Sequence, residues 1–291
     1  MLSVIIPALN EEAAIAATVN SLHEALRQHG IEHEVIVVDD GSTDRTGELA
    51  QAAGARVIRH PQPGGYGKSL KEGIRVARYE LIGITDADGT YPCDRLPDLY
   101  EVVARGGYDM AVGARTGVHY RGGPIKTPAR WVFLWLSQYA SGTRIPDVNS
   151  GLRVFRKELA TRFEHTISPG FSFTTTITLA ALLNHYFVKY VPIDYHQRVG
   201  ASHVRYARDT RRALQILVEN ILYYNPLKLF LLVTNILLLV AVGAGVVWLV
   251  SHNPKITFLA AMLASVSFVG AILVSAIGLA GDLLRISRRE R

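Results

Sequence analysis

Asp86 and Asp88 stand one residue apart around Ala87, directly after the apolar run Leu81-Ile82-Gly83-Ile84-Thr85. Two carboxylates at the end of a buried strand are hard oxygen ligands. They suit a shared Mg2+ or Mn2+, which in turn binds phosphate oxygens. A second acidic pair, Asp39-Asp40, closes the run Glu34-Val35-Ile36-Val37-Val38. Arg115, Arg121, Lys126 and Arg130 gather around a loop-like stretch holding Gly122-Gly123-Pro124. Arginine presents a planar fork that matches phosphate, so this stretch reads as a site for an anionic group. Lys68 faces either a phosphate or solvent.

The elements that must carry these residues alternate. Ser3–Ile6, Glu34–Val38, Ala55–Ile58, Leu81–Thr85 and Met110–Ala114 read as buried strands. Glu11–Arg27 with Asn10 as its cap, Thr43–Ala53, Lys68–Arg78 and Leu96–Arg105 read as helices. Apolar strands between helices predict an α/β fold, a mostly parallel sheet covered on both faces, with ligands at the carboxyl ends of the strands. The acidic pairs fall at such ends. Asp40 and Asp44 read as caps of the helix that follows them. Asp147 and Asn149 either contact a ligand's hydroxyls or form a turn after Pro146. Trp131 and Trp135 read as membrane-facing or core residues.

Several classes are excluded. The chain has 291 residues, 49% of them hydrophobic, and a single cysteine, Cys93. That composition rules out disorder, a disulfide scaffold and a cysteine-based zinc site. Pro7-Ala8-Leu9-Asn10-Glu11-Glu12 occupies the place of a dinucleotide-binding glycine fingerprint, and Gln62 stands where a P-loop ending at Gly67-Lys68-Ser69 needs glycine. The net charge is +6, but much of the excess flanks apolar segments. Basic residues are not interleaved with aromatics, so no nucleic-acid partner is expected.

Leu229–Val250 and Ile256–Gly281 carry no charge and are joined by Ser251-His252-Asn253-Pro254-Lys255. Each is long enough for a helix across a bilayer of about 30 Å, so the pair reads as a transmembrane hairpin. Before it, Leu214, Leu217, Val218, Ile221 and Leu222 recur at helical spacing behind Arg205, Arg208, Arg211 and Arg212, the pattern of an interfacial amphipathic helix. The basic tail Arg285–Arg291 places the C-terminus in the cytoplasm, and two spans return residues 1–225 to that side. Met1–Leu9 is followed at once by Glu11 and Glu12, so no targeting peptide is expected there. The expected organisation is a cytoplasmic catalytic domain over 1–204, the interfacial helix over 205–225 and the hairpin over 226–291. Gly243 and Gly245 would allow close helix packing in a homo-oligomer.

The ordered set Val4–Glu12, Val37–Asp44 and Asp86-Ala87-Asp88 resembles the inverting family 2 glycosyltransferases of GT-A fold. Gly64–Lys68, Val112–Arg115, Asp147–Arg153, Arg198–Ser202 and the hairpin are similar to their polyprenyl-phosphate branch, the dolichyl-phosphate mannose synthase-like enzymes. The resemblance covers about residues 2–205. It implies that Pro7, Leu9, Glu11 and Asp39 line the base and ribose pocket of a nucleotide sugar. It implies that Asp86, Ala87 and Asp88 meet the metal and diphosphate, that Arg198 reaches the donor diphosphate, and that Arg115 and Arg130 meet the acceptor's lipid phosphate.

The implied chemistry is consistent with the residue types. A departing nucleoside diphosphate needs a metal and a cation, here Asp86 and Asp88 with Arg198. A sugar hydroxyl acceptor needs a general base, whereas a phosphate is already anionic. Single displacement onto polyprenyl phosphate, without an essential base and with inversion, is therefore expected at the bilayer surface. The competing readings are a membrane enzyme acting on a polysaccharide or glycolipid hydroxyl and a non-catalytic nucleotide-sugar-binding scaffold.

Overall fold

The computed structural model describes residues 1–117, 127–170, 172–196 and 206–289; within these, the side chains of 127–130, 206–213 and 288–289 are left undescribed. The chain divides into two compact units, Met1–Leu217 and Val218–Arg291. The first is built from β1 (Leu2–Ala8), α1 (Ile15–Gln28), β2 (His33–Asp39), α2 (Thr46–Ala52), β3 (Arg56–Arg59), α3 (Tyr66–Val76), β4 (Leu81–Ile84), α4 (Leu96–Ala104), β5 (Met110–Thr116), α5 (Thr127–Ser141), β6 (Arg153–Arg156), α6 (Lys157–Arg162), α7 (Phe173–Leu183) and β7 (Val188–Asp194). Then come α8 (Tyr206–Tyr224), which crosses the unit boundary, and α9 (Pro226–Val250) and α10 (Pro254–Arg289).

The strands form one seven-stranded sheet in the order β3-β2-β1-β4-β6-β5-β7. It is parallel except for β6, which runs antiparallel to both β4 and β5. Alternation along the strands fills two cores. Leu2, Val4 and Ile6 of β1 and Val35 and Val37 of β2 pack with Ile15, Val19, Leu22 and Leu26 of α1 and Leu96, Leu99 and Val103 of α4. Ile5, Ile36 and Val38 face the other way, onto Leu70 and Ile74 of α3 and Phe173 and Ile177 of α7. Gly73 lets α3 lie directly on Ile5, where a Cβ would collide with the isoleucine side chain.

The sequence places β1 to β5 correctly, leaves β6 and β7 unannounced and misplaces the cap of α1. α1 starts at Ile15, not Glu11. Glu11 O instead closes a turn with the N–H groups of Ala14 and Ile15. Asn10 sits at φ 55, a left-handed conformation that asparagine tolerates, and its Oδ1 accepts the Thr43 N–H at 2.8 Å. Its side chain therefore serves a loop contact rather than a helix cap.

In the second unit, Asn225 caps α9 by accepting the Lys228 N–H, and Pro226 occupies the first turn. Within the α9–α10 pair, Gly278 lets Phe230 approach so closely that a Cβ there would clash with it. The Thr234 and Ser275 hydroxyls lie 3.0 Å apart. Leu239, Val242, Leu249, Phe258, Leu259 and Val266 point outward. Pro226–Val250 of α9 and Pro254–Ser287 of α10 are long and apolar enough to cross a membrane. An exposed apolar surface of this extent matches lipid rather than water. Gly243 and Gly245 face open space.

One polar contact in the first unit makes a pH test. His23 Nδ1 of α1 lies 2.8 Å from His33 Nε2, and His33 Nδ1 lies 2.8 Å from Ile31 O. The carbonyl can only accept, so His33 Nδ1 donates to it and His33 Nε2 is left to accept from His23 Nδ1. Burial first, then the charges of His33 and Arg27, pull the His23 pKa below its unfolded value of 6.5. The unfolded chain therefore takes up that proton before the folded one, and stability falls as pH drops from 6.5 toward the depressed value. The thermal midpoint of His23→Gln, followed by circular dichroism on the full chain in detergent, should depend less on pH between about 7 and 5 than that of the wild type. Parallel curves for the two proteins would refute the pair's role.

Candidate active site

The parallel strands β1, β2 and β4 deliver their carboxyl ends to one edge of the sheet. The antiparallel β6 delivers its amino end there. That direction matters because Ile84 pairs with Arg153. Continuing the register past the end of β4 sets Asp86 against Gly151. The contact is close: a Cβ on Gly151 would lie 2.9 Å from both Asp86 carboxylate oxygens and 3.0 Å from the Tyr91 ring. Glycine is required there because no side chain fits.

Asp86 Oδ1 accepts the Tyr66 hydroxyl at 3.0 Å. Burial, then the negative charge of Asp86, raises the Tyr66 pKa well above the usual phenol value and keeps it a donor. Asp88 is buried, and its Oδ1 accepts both the Thr90 hydroxyl at 2.6 Å and the Thr90 N–H at 3.2 Å. Thr90 thus orients Asp88. Ala87 turns into the core, and its carbonyl accepts the Thr18 hydroxyl. It spaces the two aspartates.

The pair fits a divalent metal by donor chemistry. Both ligands are carboxylates, each oriented by a hydroxyl. Among the described residues no group of three or more His, Cys, Asp or Glu side chains is placed to hold a metal. An ion bound by Asp86 and Asp88 would complete its shell from water and substrate oxygens, as Mg2+ commonly does.

At the β1 and β2 ends, two loops are stitched together. The Asn10 N–H donates to Ser42 Oγ at 3.0 Å and the Glu11 N–H to Thr46 Oγ1 at 2.8 Å. Pro7 is buried and Leu9 partly so. Asp39, paired with Ala8 across the sheet, is fully buried. Its Oδ1 accepts the Ser42 N–H at 2.9 Å. Its Oδ2 packs against Gly47 and lies 3.3 Å from Arg59 Nε, too poorly aligned for a hydrogen bond. Pro7, Leu9, Glu11 and Asp39 thus fall in one corner of the sheet edge.

Asp40 and Asp44 differ in role. Asp44 does hold the start of α2, accepting the Thr46 N–H at 3.0 Å. Asp40 serves the loop before α3 instead. It accepts the Gly64 and Gly65 N–H groups at 2.8 and 2.7 Å and meets His60 Nδ1 at 2.6 Å. His60 Nε2 continues to Glu72 of α3 at 2.9 Å. Burial alone would raise the Asp40 pKa, but the Gly64 N–H, His60 and the Gly65 N–H outweigh it and lower it. Burial alone would lower that of His60, but Asp40 and Glu72 raise it. Lys68, on α3, folds back over Gly64, where a Cβ would come within 2.7 Å of Lys68 Cδ.

Arg115 ends β5 in a two-pronged ion pair, Nε to Asp147 Oδ2 at 2.7 Å and Nη2 to Asp147 Oδ1 at 3.0 Å. The guanidinium also lies over the Tyr195 ring at 5.3 Å. Burial opposes its charge, yet Tyr91 and Asp147 more than compensate and raise its pKa. Asp147 thus engages an arginine. Asn149 Oδ1 accepts the Thr175 hydroxyl of α7 at 2.5 Å. On α5, Trp131 and Trp135 are exposed (65% and 40%). Arg198, Arg121 and Lys126 lie outside the described residues. Arg130 belongs to α5, but its side chain is likewise undescribed.

The sequence motifs contain Tyr66, Tyr91, Gly151 and Arg153, but nothing in their pattern assigned them a role in the site. Tyr91 accepts the Gly151 N–H at 2.6 Å. Arg153 is wholly buried. Its signal was present: a lone charge inside the apolar run Leu152-Arg153-Val154-Phe155.

Residues 3–168 match the family model for glycosyl transferase family 2. The chain is 34% identical over 230 residues to a low-salt glycan biosynthesis hexosyltransferase of Haloferax volcanii, a match covering 75% of this chain but only 53%, about half, of that protein. It is 32% identical to a dolichyl-phosphate hexose transferase of the same organism, covering 69% of this chain and 85% of the relative. It is 30% identical to a polyprenol monophosphomannose synthase of Mycolicibacterium smegmatis, covering 68% and 79%. In fold it is similar to glucosyl-3-phosphoglycerate synthase of Mycobacterium tuberculosis in complex with Mn2+, UDP and glucosyl-3-phosphoglycerate. That likeness has TM-score 0.62 at 23% identity and covers 76% of this chain and 80% of the other.

Gly151→Ala should push Asp86 off its place. Titrating Mn2+ in the presence of a nucleoside diphosphate is expected to show at least tenfold weaker metal binding, ~1.4 kcal/mol. Unchanged Mn2+ affinity would show that the close contact has no bearing on Asp86.

Proposed function

Because the chain belongs to glycosyl transferase family 2, we propose that it moves a single sugar from a UDP- or GDP-linked donor to a polyprenyl phosphate, undecaprenyl or dolichyl, with inversion at the cytoplasmic face of a membrane. What carries the reading is that one chain combines an oriented aspartate pair with two helices long enough to span a bilayer. The first suits a water-soluble diphosphate donor, the second an acceptor that lives in lipid. Two relatives covering more than two thirds of the chain are named for dolichyl-phosphate and polyprenol-phosphate chemistry, which supports the acceptor class.

The roles follow from chemistry. Asp86 and Asp88 would hold a divalent metal, with Tyr66 and Thr90 fixing the carboxylates. A divalent cation there would neutralise charge developing on the departing nucleoside diphosphate. Pro7, Leu9, Glu11 and Asp39 shape the corner that receives base and ribose, and Lys68 and Arg198 attend the diphosphate. Arg130 and the basic residues before it hold the acceptor phosphate. Arg115, paired with Asp147, shapes that end of the site rather than supplying net charge. The phosphate oxygen attacks as an anion, so no side chain need remove a proton. Trp131 and Trp135 are exposed residues of the kind that sit among lipid headgroups. The domain over 1–204, the interfacial helix over 205–225 and the hairpin over 226–291 keep the site at that surface, with the C-terminal tail on the same side.

The test uses purified full-length protein in detergent with Mn2+ and a short polyprenyl phosphate. Labelled UDP-glucose, UDP-GlcNAc, UDP-galactose and GDP-mannose are offered separately, and label passing into organic solvent is counted. One donor should give lipid-linked label. EDTA should abolish it, and Asp88→Ala should reduce it at least a hundredfold, ~2.7 kcal/mol. Label appearing only on a hydroxyl acceptor would replace the reading with the polysaccharide or glycolipid one. Nucleotide-sugar binding with no transfer would replace it with the scaffold.

A further inference from the structure

Among the described residues Arg153 is one of the largest fully buried side chains, and none of their carboxylates lies within ion-pair distance of it. Its partners are neutral. Nε donates to Ser150 O at 3.1 Å, and Nη2 donates to the same carbonyl. Nη1 donates to Thr174 O and Thr178 Oγ1, both at 3.0 Å, and approaches Met110 Sδ at 3.9 Å. Burying an unpaired charge costs several kcal/mol. The sheet has no need of it, since the residues paired with Arg153 on either side are Ile84 and Val112. An apolar residue would serve the strand at least as well.

What the charge does serve is the turn ahead of β6. Ser150 O, held by two guanidinium nitrogens, precedes Gly151, which lies on the Asp86 carboxylate. The same turn carries Asp147 to Arg115 and Asn149 to Thr175. Through Thr174 and Thr178, Arg153 ties this turn to α7. Burial lowers the Arg153 pKa from its ordinary value, and the neighbouring Tyr66, Tyr190, Tyr91 and Asp147 act to raise it. Tyr66 donates to Asp86, and Tyr91 accepts the Gly151 N–H. Arg153 therefore stands directly behind the contacts that place Asp86. Arg115 is matched by Asp147, whereas Arg153 has no such counter-charge.

We propose that Arg153 is a positioning residue of the donor site: its buried, unmatched guanidinium fixes the 147–151 turn between α7 and Asp86, and its charge gives the floor of the site the positive field that a nucleoside diphosphate requires. The inference rests on the reading of this edge as a nucleotide-sugar site. It separates charge from hydrogen bonding, because Arg153→Lys keeps the charge and loses the fork, while Arg153→Gln keeps donors and loses the charge.

The experiment uses the full chain in detergent. Thermal midpoints are measured first. Binding of UDP and of GDP, each with MnCl2, is then titrated by calorimetry, and turnover is measured with the donor that the wild type uses. Arg153→Lys is expected to bind the nucleotide within about threefold of wild type but to lose at least tenfold in kcat. Arg153→Gln is expected to lose at least tenfold in both nucleotide affinity and kcat. Equal nucleotide affinity in the two variants would overturn the role of the charge. A lysine variant with wild-type kcat would overturn the role of the fork, and it decides that point even if the glutamine variant does not fold. Losses that merely follow the folded fraction would make Arg153 structural and overturn the proposal. If the wild type bound neither UDP nor GDP, the nucleotide-site reading itself would fail, and the inference with it.

Discussion

Asp86 rests against a backbone that has no Cβ, and the rest of the site is arranged around that contact. A Cβ on Gly151 would lie 2.9 Å from either carboxylate oxygen. The approach is possible only because β6 runs opposite to its neighbours and brings its first residues to the edge where β4 ends. An all-parallel sheet would present the far end of that strand instead. The antiparallel strand is thus the means by which a turn closes over a strand-end carboxylate. Once closed, the turn is held on every side: to Tyr91 through the Gly151 N–H, to α7 through Asn149 and Arg153, and to β5 through Arg115.

A second constraint acts from β2. Asp40 gathers the Gly64 and Gly65 N–H groups and His60, and His60 leans on Glu72 of α3. Gly65 takes φ 100 at the cap of α3, a conformation that L side chains rarely adopt. The next residue, Tyr66, places its hydroxyl on Asp86. The two acidic strand ends are therefore coupled through the start of one helix. Asp40 sets where α3 begins, and α3 sets one of the partners of Asp86. His60, with its pKa raised, adds stability that is complete below its unfolded value of 6.5 and is lost as pH rises through the folded value. That window lies above the one in which the His23–His33 pair loses stability.

What the sequence made legible was local. Strands β1, β2, β4 and β5 are short apolar runs ended by polar residues, and the acidic pairs at their ends announced the edge where a ligand sits. β6 and α7 were not legible. β6 is only Arg153–Arg156, with a charge at each end, the first of them buried. α7 is a run of threonines and apolar residues buried nearly all round, so it lacks the one-sided stripe that marks a helix. Asn10 and Asp40 misled for a shared reason. Both are residue types that cap helices, and both were drawn instead to backbone donors on loops distant in sequence. Arg115 was legible as a phosphate-binding type, but its partner Asp147 lies 32 residues away, and only the β5–β6 pairing brings them together.

The charge balance at this edge explains why so many cations are needed for one anionic donor. Asp39, Asp40, Asp86, Asp88 and Asp147 all collect at the strand ends, and a diphosphate approaching them bare would be repelled. Asp147 is answered by Arg115, and Asp40 by His60 with two backbone N–H groups. Arg59 stands beside Asp39, but more than half of its side chain faces solvent, so water screens much of its charge. Asp86 and Asp88 receive hydroxyl donors, which orient a carboxylate without cancelling its charge. Two carboxylates oriented in this way suit a metal, and the arginine that Asp147 has neutralised contributes little field of its own. On the proposed reading, the positive potential that makes the edge hospitable to a diphosphate comes from a bound cation, from Lys68 and Arg198, and from Arg153, whose hydrogen-bond partners are neutral.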